Sequence, residues 1–179
     1  MTIPTRAWLL LAALLLTGCK VYSTIDIANT EIPERMSIGD FPPDLTAKYT
    51  VDDIIVRPLF TFSDGYQTEY KLLVGFYSKT HPVDVSITAV TLKINGQAVE
   101  YGREMIGAPT SEWHTGPTIQ PYFACGISGE PISRPLSEMT QSTVDLSLTV
   151  AVKKADGAVV EKEITAHFAP TKRSHFFTM

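Results

Sequence analysis

The chain has 179 residues, 44% of them hydrophobic and 19% charged, with a formal net charge of −4 at neutral pH. That composition excludes disorder, a collagen-like repeat and a polytopic membrane protein, and it fits one domain of ordinary globular make-up. The acidic balance argues against nucleic acid as a partner, because phosphate backbones are held by clustered Lys and Arg.

The chain opens MTIPTRAWLLLAALLLTGC. Arg6 and the amino terminus make a short positive segment, and Ala7 to Leu16 is uninterruptedly apolar. This stretch is too short to span a hydrocarbon core of roughly 30 Å as a permanent helix, so it reads as a secretion signal. Its end, Leu16-Thr17-Gly18-Cys19, resembles the lipobox of bacterial lipoproteins. The resemblance implies removal of residues 1–18, a diacylglyceryl group on the Cys19 thiol and an acyl chain on its freed amine. A thiolate is the nucleophile that forms such a thioether. Each buried CH₂ adds roughly 0.8 kcal/mol, so two or three chains hold a soluble domain on a bilayer. Lys20, by the enterobacterial sorting pattern, implies the periplasmic face of the outer membrane, with the inner membrane as the alternative.

Removing 18 of the 179 residues leaves 161, and the loss of Arg6 moves the side-chain balance from −4 to −5. Of the 2 cysteines, lipidation takes Cys19 and leaves Cys125 without a partner in the mature chain. A leftover thiol is buried as a small apolar group, reactive, or paired with another molecule.

From Val21 onward the apolar period is two rather than 3.6. Val21 to Ala28 is a first strand, with Val21, Ser23, Ile25 and Ile27 facing one way. Residues 30–48, with Pro33, Pro42 and Pro43, read as a loop crossing between sheets. Ile54 to Phe62 and Tyr66 to Tyr77 form a hairpin around Ser63-Asp64-Gly65. Pro58 removes a ladder donor there, so that strand is an edge or carries a bulge. Val83 to Ile94 pairs with Gln97 to Arg103 through Asn95-Gly96, a strong hairpin signal. Within the former the apolar parity switches between Ala89 and Val90, which predicts a bulge near Ala89 or a change of sheet. Thr143 to Lys153, turning at Ala155-Asp156-Gly157 into Val160 to Phe168, is the last hairpin. Seven or eight such strands predict an all-β fold, an antiparallel β-sandwich, immunoglobulin-like in general architecture but without the Cys-Trp-Cys pattern of antibody domains.

Residues 102–142 hold ten of the chain's 11 Gly and 12 Pro residues, together with Trp113, His114, Tyr122 and Phe123. Two readings stand. Either this is a Gly/Pro-rich functional loop whose aromatics bind a partner, or the aromatics cap the sandwich and short strands hide among the prolines.

Catalytic patterns are poor. Ser128 lacks the G-x-S-x-G spacing, and Cys125 with His114 has no orienting third group in view. The histidines sit singly and no C-x-x-C occurs, so neither metal nor cofactor is expected. The reading is therefore a non-catalytic, lipid-anchored envelope protein that binds a protein partner in the periplasm. Assembly factors of envelope machines and immunity-type lipoproteins are analogues by size and location. An envelope hydrolase using Cys125, Ser128 or His114 is the alternative.

Overall fold

The computed structural model describes residues 19–178 apart from 34, 63–68, 81–83, 111 and 118; side chains are described for 24–173 of these. The leader 1–18 and the turn Ser63-Asp64-Gly65 lie outside the described residues, as do the side chains of Cys19 and Lys20.

In chain order the elements are β1 (Cys19–Asn29), η1 (Ile38–Asp40), α1 (Pro43–Tyr49), β2 (Thr50–Val51), β3 (Ile54–Phe62), β4 (Tyr70–Ser78), β5 (Asp84–Ile94) and β6 (Gln97–Val99), followed by η2 (Arg103–Met105), β7 (Phe123–Pro131), α2 (Leu136–Met139), β8 (Val144–Lys153) and β9 (Val159–Thr178). They form two antiparallel sheets, ordered β1-β9-β8-β5-β6 and β2-β3-β4-β7, which make the expected all-β sandwich. The described strands number nine rather than seven or eight because the two-residue β2 and β7 add to those expected.

The chain divides into two compact units. The larger, 27–170, contains the core. Alternation drives it: Val144, Leu146, Leu148, Val150 and Val152 of β8 are all buried, as are Tyr70, Leu72, Val74 and Phe76 of β4. Phe60 and Phe168 meet edge to face at 4.7 Å, joining the two sheets. In the smaller unit, made of residues 19–26 and 171–178 among those described, Arg173 Nε lies 3.0 Å from Asp26 Oδ2. Ile25 there is 50% exposed, whereas Ile27, two residues along the strand, is buried.

The Asn95-Gly96 turn has both residues at positive φ, 51° and 78°, as a two-residue hairpin demands. The predicted bulge in β5 is present. Ile87 pairs with Val150 and Ala89 with Thr149, so Thr88 is the extra residue. The returning strand β6 ends at Val99 rather than Arg103, because Gly102 at φ 82° turns the chain into η2. Pro58 lies beyond the short β2, where β3 pairs on one side only, with β4.

The loop expectation for residues 30–48 is corrected in part. Residues 43–49 are helical: Pro43 starts α1 with its ring φ preset, and Tyr49 is buried with its hydroxyl donating to Glu31 Oε2 at 2.8 Å. Within 102–142, residues 123–131 form β7, a strand among the prolines, paired to β4 from Phe123 to Ser128 and again at Pro131.

Candidate functional site

The residues singled out in the sequence do not form a projecting loop. Tyr122 is only 8% exposed, Trp113 and Phe123 are half-buried, and Trp113 packs against the core. His114 is exposed. Its backbone exchanges two hydrogen bonds with Ala124, at 2.9 and 2.8 Å, and so extends the sheet past β7.

Cys125 is buried, 5% exposed, and its thiol is pushed up to about 12 by that burial, against a smaller opposing effect of a hydrogen bond with Thr110. It is therefore a protonated thiol at neutral pH, inert as a nucleophile. Ser128 is exposed three residues further along β7, opposite Leu73, while Cys125 lies opposite Phe76. An odd separation puts the two side chains on opposite faces of the strand. The structure thus does not assemble Cys125, Ser128 and His114 into one constellation. Among the described residues no three His, Cys, Asp or Glu side chains gather as a metal site.

A cleft of about 380 Å³ lies instead on the outer face of the four-stranded sheet. Strand register sets where Arg57 and Tyr77 stand in it. Arg57 of β3 pairs with Gly75 of β4, and Gly75 pairs with Gly126 of β7, so one row of that face carries a guanidinium followed by two bare positions. The ring of Tyr77 folds over Gly75 so closely that a Cβ there would lie 3.0 Å from it. The walls are Ser37, Ile38 and Gly39 at η1 and Ile119 to Tyr122 on the other side, with Lys79 at the end of β4.

The 119–122 wall is a tight turn. Ile119 and Gln120 both donate to Gly116 O at 3.1 Å, Tyr122 donates to Ile119 O at 2.8 Å, and the Gln120–Pro121 bond is cis. Lys79 Nζ stands 5.6 Å from the centroid of the Tyr122 ring. A second cleft of about 420 Å³ adjoins the first, sharing Ile38, Gly39, Lys79 and Tyr122, and continues over Phe41, Ile55 and Asp53. Asp53 accepts a 2.7 Å hydrogen bond from the Thr80 hydroxyl.

No family model, curated protein or solved structure matches this chain.

The two clefts together form one trough. They offer a guanidinium, an ammonium, an amide, the Asp53 carboxylate and several hydroxyls beside apolar side chains, one of those hydroxyls, Thr80, being hydrogen-bonded to Asp53. Of the four aromatic-loop candidates only Tyr122 lines the trough. Arg57, Tyr77 and Lys79 were missed from sequence. A signal existed in Gly75, a glycine inside an apolar strand, which marks a close approach over the sheet.

Proposed function

We propose that this chain is a lipid-anchored bacterial envelope lipoprotein, held at the periplasmic face of the outer membrane, whose β-sandwich binds a protein partner and carries out no chemistry of its own. The observation that carries the reading is Leu16-Thr17-Gly18-Cys19 at the end of an uninterrupted apolar run. The anchor is the diacylglyceryl thioether on Cys19, with an acyl chain on its amine. Support for a binding role comes from the trough beside η1, and the protonated Cys125 thiol weighs against the hydrolase alternative.

Two experiments test it. Cells expressing the chain are fed radiolabelled palmitate: the wild type takes up label and sediments with membranes, whereas Cys19→Ala keeps its leader and takes up none. A Cys19→Ala protein that is trimmed normally and stays in the membrane fraction overturns the anchor. A photocrosslinking residue in place of exposed Gln120 yields a discrete crosslinked protein in intact cells; its absence overturns the protein-binding role.

A further inference from the structure

Building on the anchor at Cys19, we infer that one face of the β1–β9 ribbon, carrying Val21, Ile25, Lys172 and Phe176, lies flat against the bilayer that holds the lipid. In the smaller unit the two strands are neighbours in the five-stranded sheet. The N–H of Thr30 donates to the carbonyl of His167 at 2.9 Å, which sets Asn29 opposite Phe168. Counting on from there puts Cys19 opposite Thr178, the residues at which β1 begins and β9 ends. The 3.0 Å pair of Asp26 and Arg173 fits the same register, because Asp26 stands opposite Thr171 and Arg173 is its diagonal neighbour.

Alternation along each strand then sorts the ribbon into two faces. Cys19, Val21 and Ile25 share one with Lys172 and Phe176, and the Asp26–Arg173 pair is on the other. The thioether on Cys19 thus starts from the first face, so the acyl chains and the apolar residues there meet one surface.

Exposure and charge favour a lipid surface as that occupant. Ile25, 50% exposed, is one of three large hydrophobic residues so exposed among the described residues, and Lys172 opposite it is exposed as well. Lys172 is the only charged residue on the face. The chain is divided in the same sense: residues 19–26 and 171–178 hold three Lys and Arg against one Asp, a charge of +2, whereas 27–170 hold 11 against 18, a charge of −7. Apolar area and a cation together draw such a face to anionic lipid, while the acidic remainder is repelled from it.

The lipidated full chain is reconstituted in phosphatidylcholine vesicles containing phosphatidylglycerol, with and without bromine on the acyl chains, and one tryptophan is added at a time. Emission is read as the difference from the wild type. Ile25→Trp and Phe176→Trp are expected to lose most of the added emission to bromine, and Tyr22→Trp and Phe177→Trp to keep most of theirs. Lys172→Gln lowers the ratio of docked to free ribbon, read at position 25, about fivefold with phosphatidylglycerol present and leaves it unchanged in phosphatidylcholine alone. Equal loss on the two faces overturns the inference. So does loss at 176 without loss at 25, since an upright ribbon holds position 25 roughly 20 Å from Cys19 along the bilayer normal. If Ile25→Trp fails to fold, Lys172→Trp, at the exposed position opposite, takes its place. A chain that takes up palmitate and floats with the vesicles without any difference between the faces overturns this inference and leaves the anchor intact. A chain that takes up no palmitate overturns the anchor, and with it the bilayer contact named here.

Discussion

The hydroxyl of Tyr101 accepts the backbone N–H of Leu72 at 2.9 Å and donates to the carbonyl of Glu130 at 2.8 Å. Between Lys71 and Leu73 the β4–β7 ladder slips, because Lys71 pairs with Pro131 but Leu73 pairs with Ser128. The phenol is thus a replacement rung, inserted where the backbone register breaks. Tyr101→Phe should leave a buried donor and a carbonyl unpaired at a cost of about 2–4 kcal/mol, read as a lower midpoint in urea at unchanged m-value. A change below about 0.5 kcal/mol would show that the rung is dispensable.

Gly129 exists for that same hydroxyl. A Cβ on it would lie 2.6 Å from Tyr101 Oη and 2.9 Å from Met105 Sδ. Gly129→Ala is therefore expected to cost about 1–3 kcal/mol by overpacking, and less when Tyr101→Phe has already removed the oxygen. The double-mutant cycle measures this; strict additivity would rule out the proposed clash.

Alkaline pH should weaken the fold in two stages. Burial raises the Cys125 thiol from 9.0 to about 12. Burial, with the nearby Glu130 and Glu104 charges, raises Tyr101 from 10.0 to about 12, against the hydrogen bond with Leu72. Both protons are held more tightly in the folded chain than in the unfolded one. Their contribution to stability is complete below pH about 9 and is lost as pH climbs from 9 toward 12. Urea midpoints should be flat from pH 7 to 8.5 and fall above 9, and Cys125→Ala should move the onset up toward 10. An unchanged onset in that variant would remove the thiol from the account.

The turn residue Asn95 does more than supply positive φ. Its Oδ1 accepts Thr143 N–H at 3.0 Å and its Nδ2 donates to Ser142 Oγ at 3.1 Å, tying the β5–β6 hairpin to the start of β8. Asn95→Ala should cost about 1–2 kcal/mol, whereas Asn95→Asp, keeping the acceptor and the tolerance for left-handed backbone, should cost less. Thermal melts of the two variants check the order.

Much of the sandwich was legible because alternation is strong where a strand faces one core. Val144 to Val152 and Tyr70 to Phe76 announce themselves, and the parity switch in β5 located the extra residue within one position. β7 was harder to read. Ala124 and Cys125 are adjacent and both buried, Gly126 and Gly129 interrupt the pattern, and Pro131 ends it. Those residues look like loop chemistry because an edge strand with a slipped register uses bare positions that a regular strand avoids. α1 was missed for its length, a single short helix giving too few turns to show a period of 3.6. The first cleft of the trough draws on residues 37–39, 57, 77, 79 and 119–122, which only the pairing of β3 with β4 and the return of the chain before β7 bring together. No local spacing encodes such a meeting. A cationic position beside a proline in an edge strand looks, one residue at a time, like ordinary surface.

Thr88 has a consequence for how the chain tolerates changes in length. Val85 and Ile87 point inward at odd positions, and Leu92 and Ile94 at even ones, with Thr88 itself exposed between the two halves. Deleting Thr88 would close the count into one uninterrupted odd–even sequence and leave each of those four side chains on its present face. The loss would be the extra twist of the bulge and the weak 3.4 Å bond from Thr88 Oγ1 to Thr149 O. A deletion between Leu92 and Ile94 would instead turn one end of the strand inside out. Position 88 is thus an expansion joint: the strand can lose a residue there without any buried side chain meeting water.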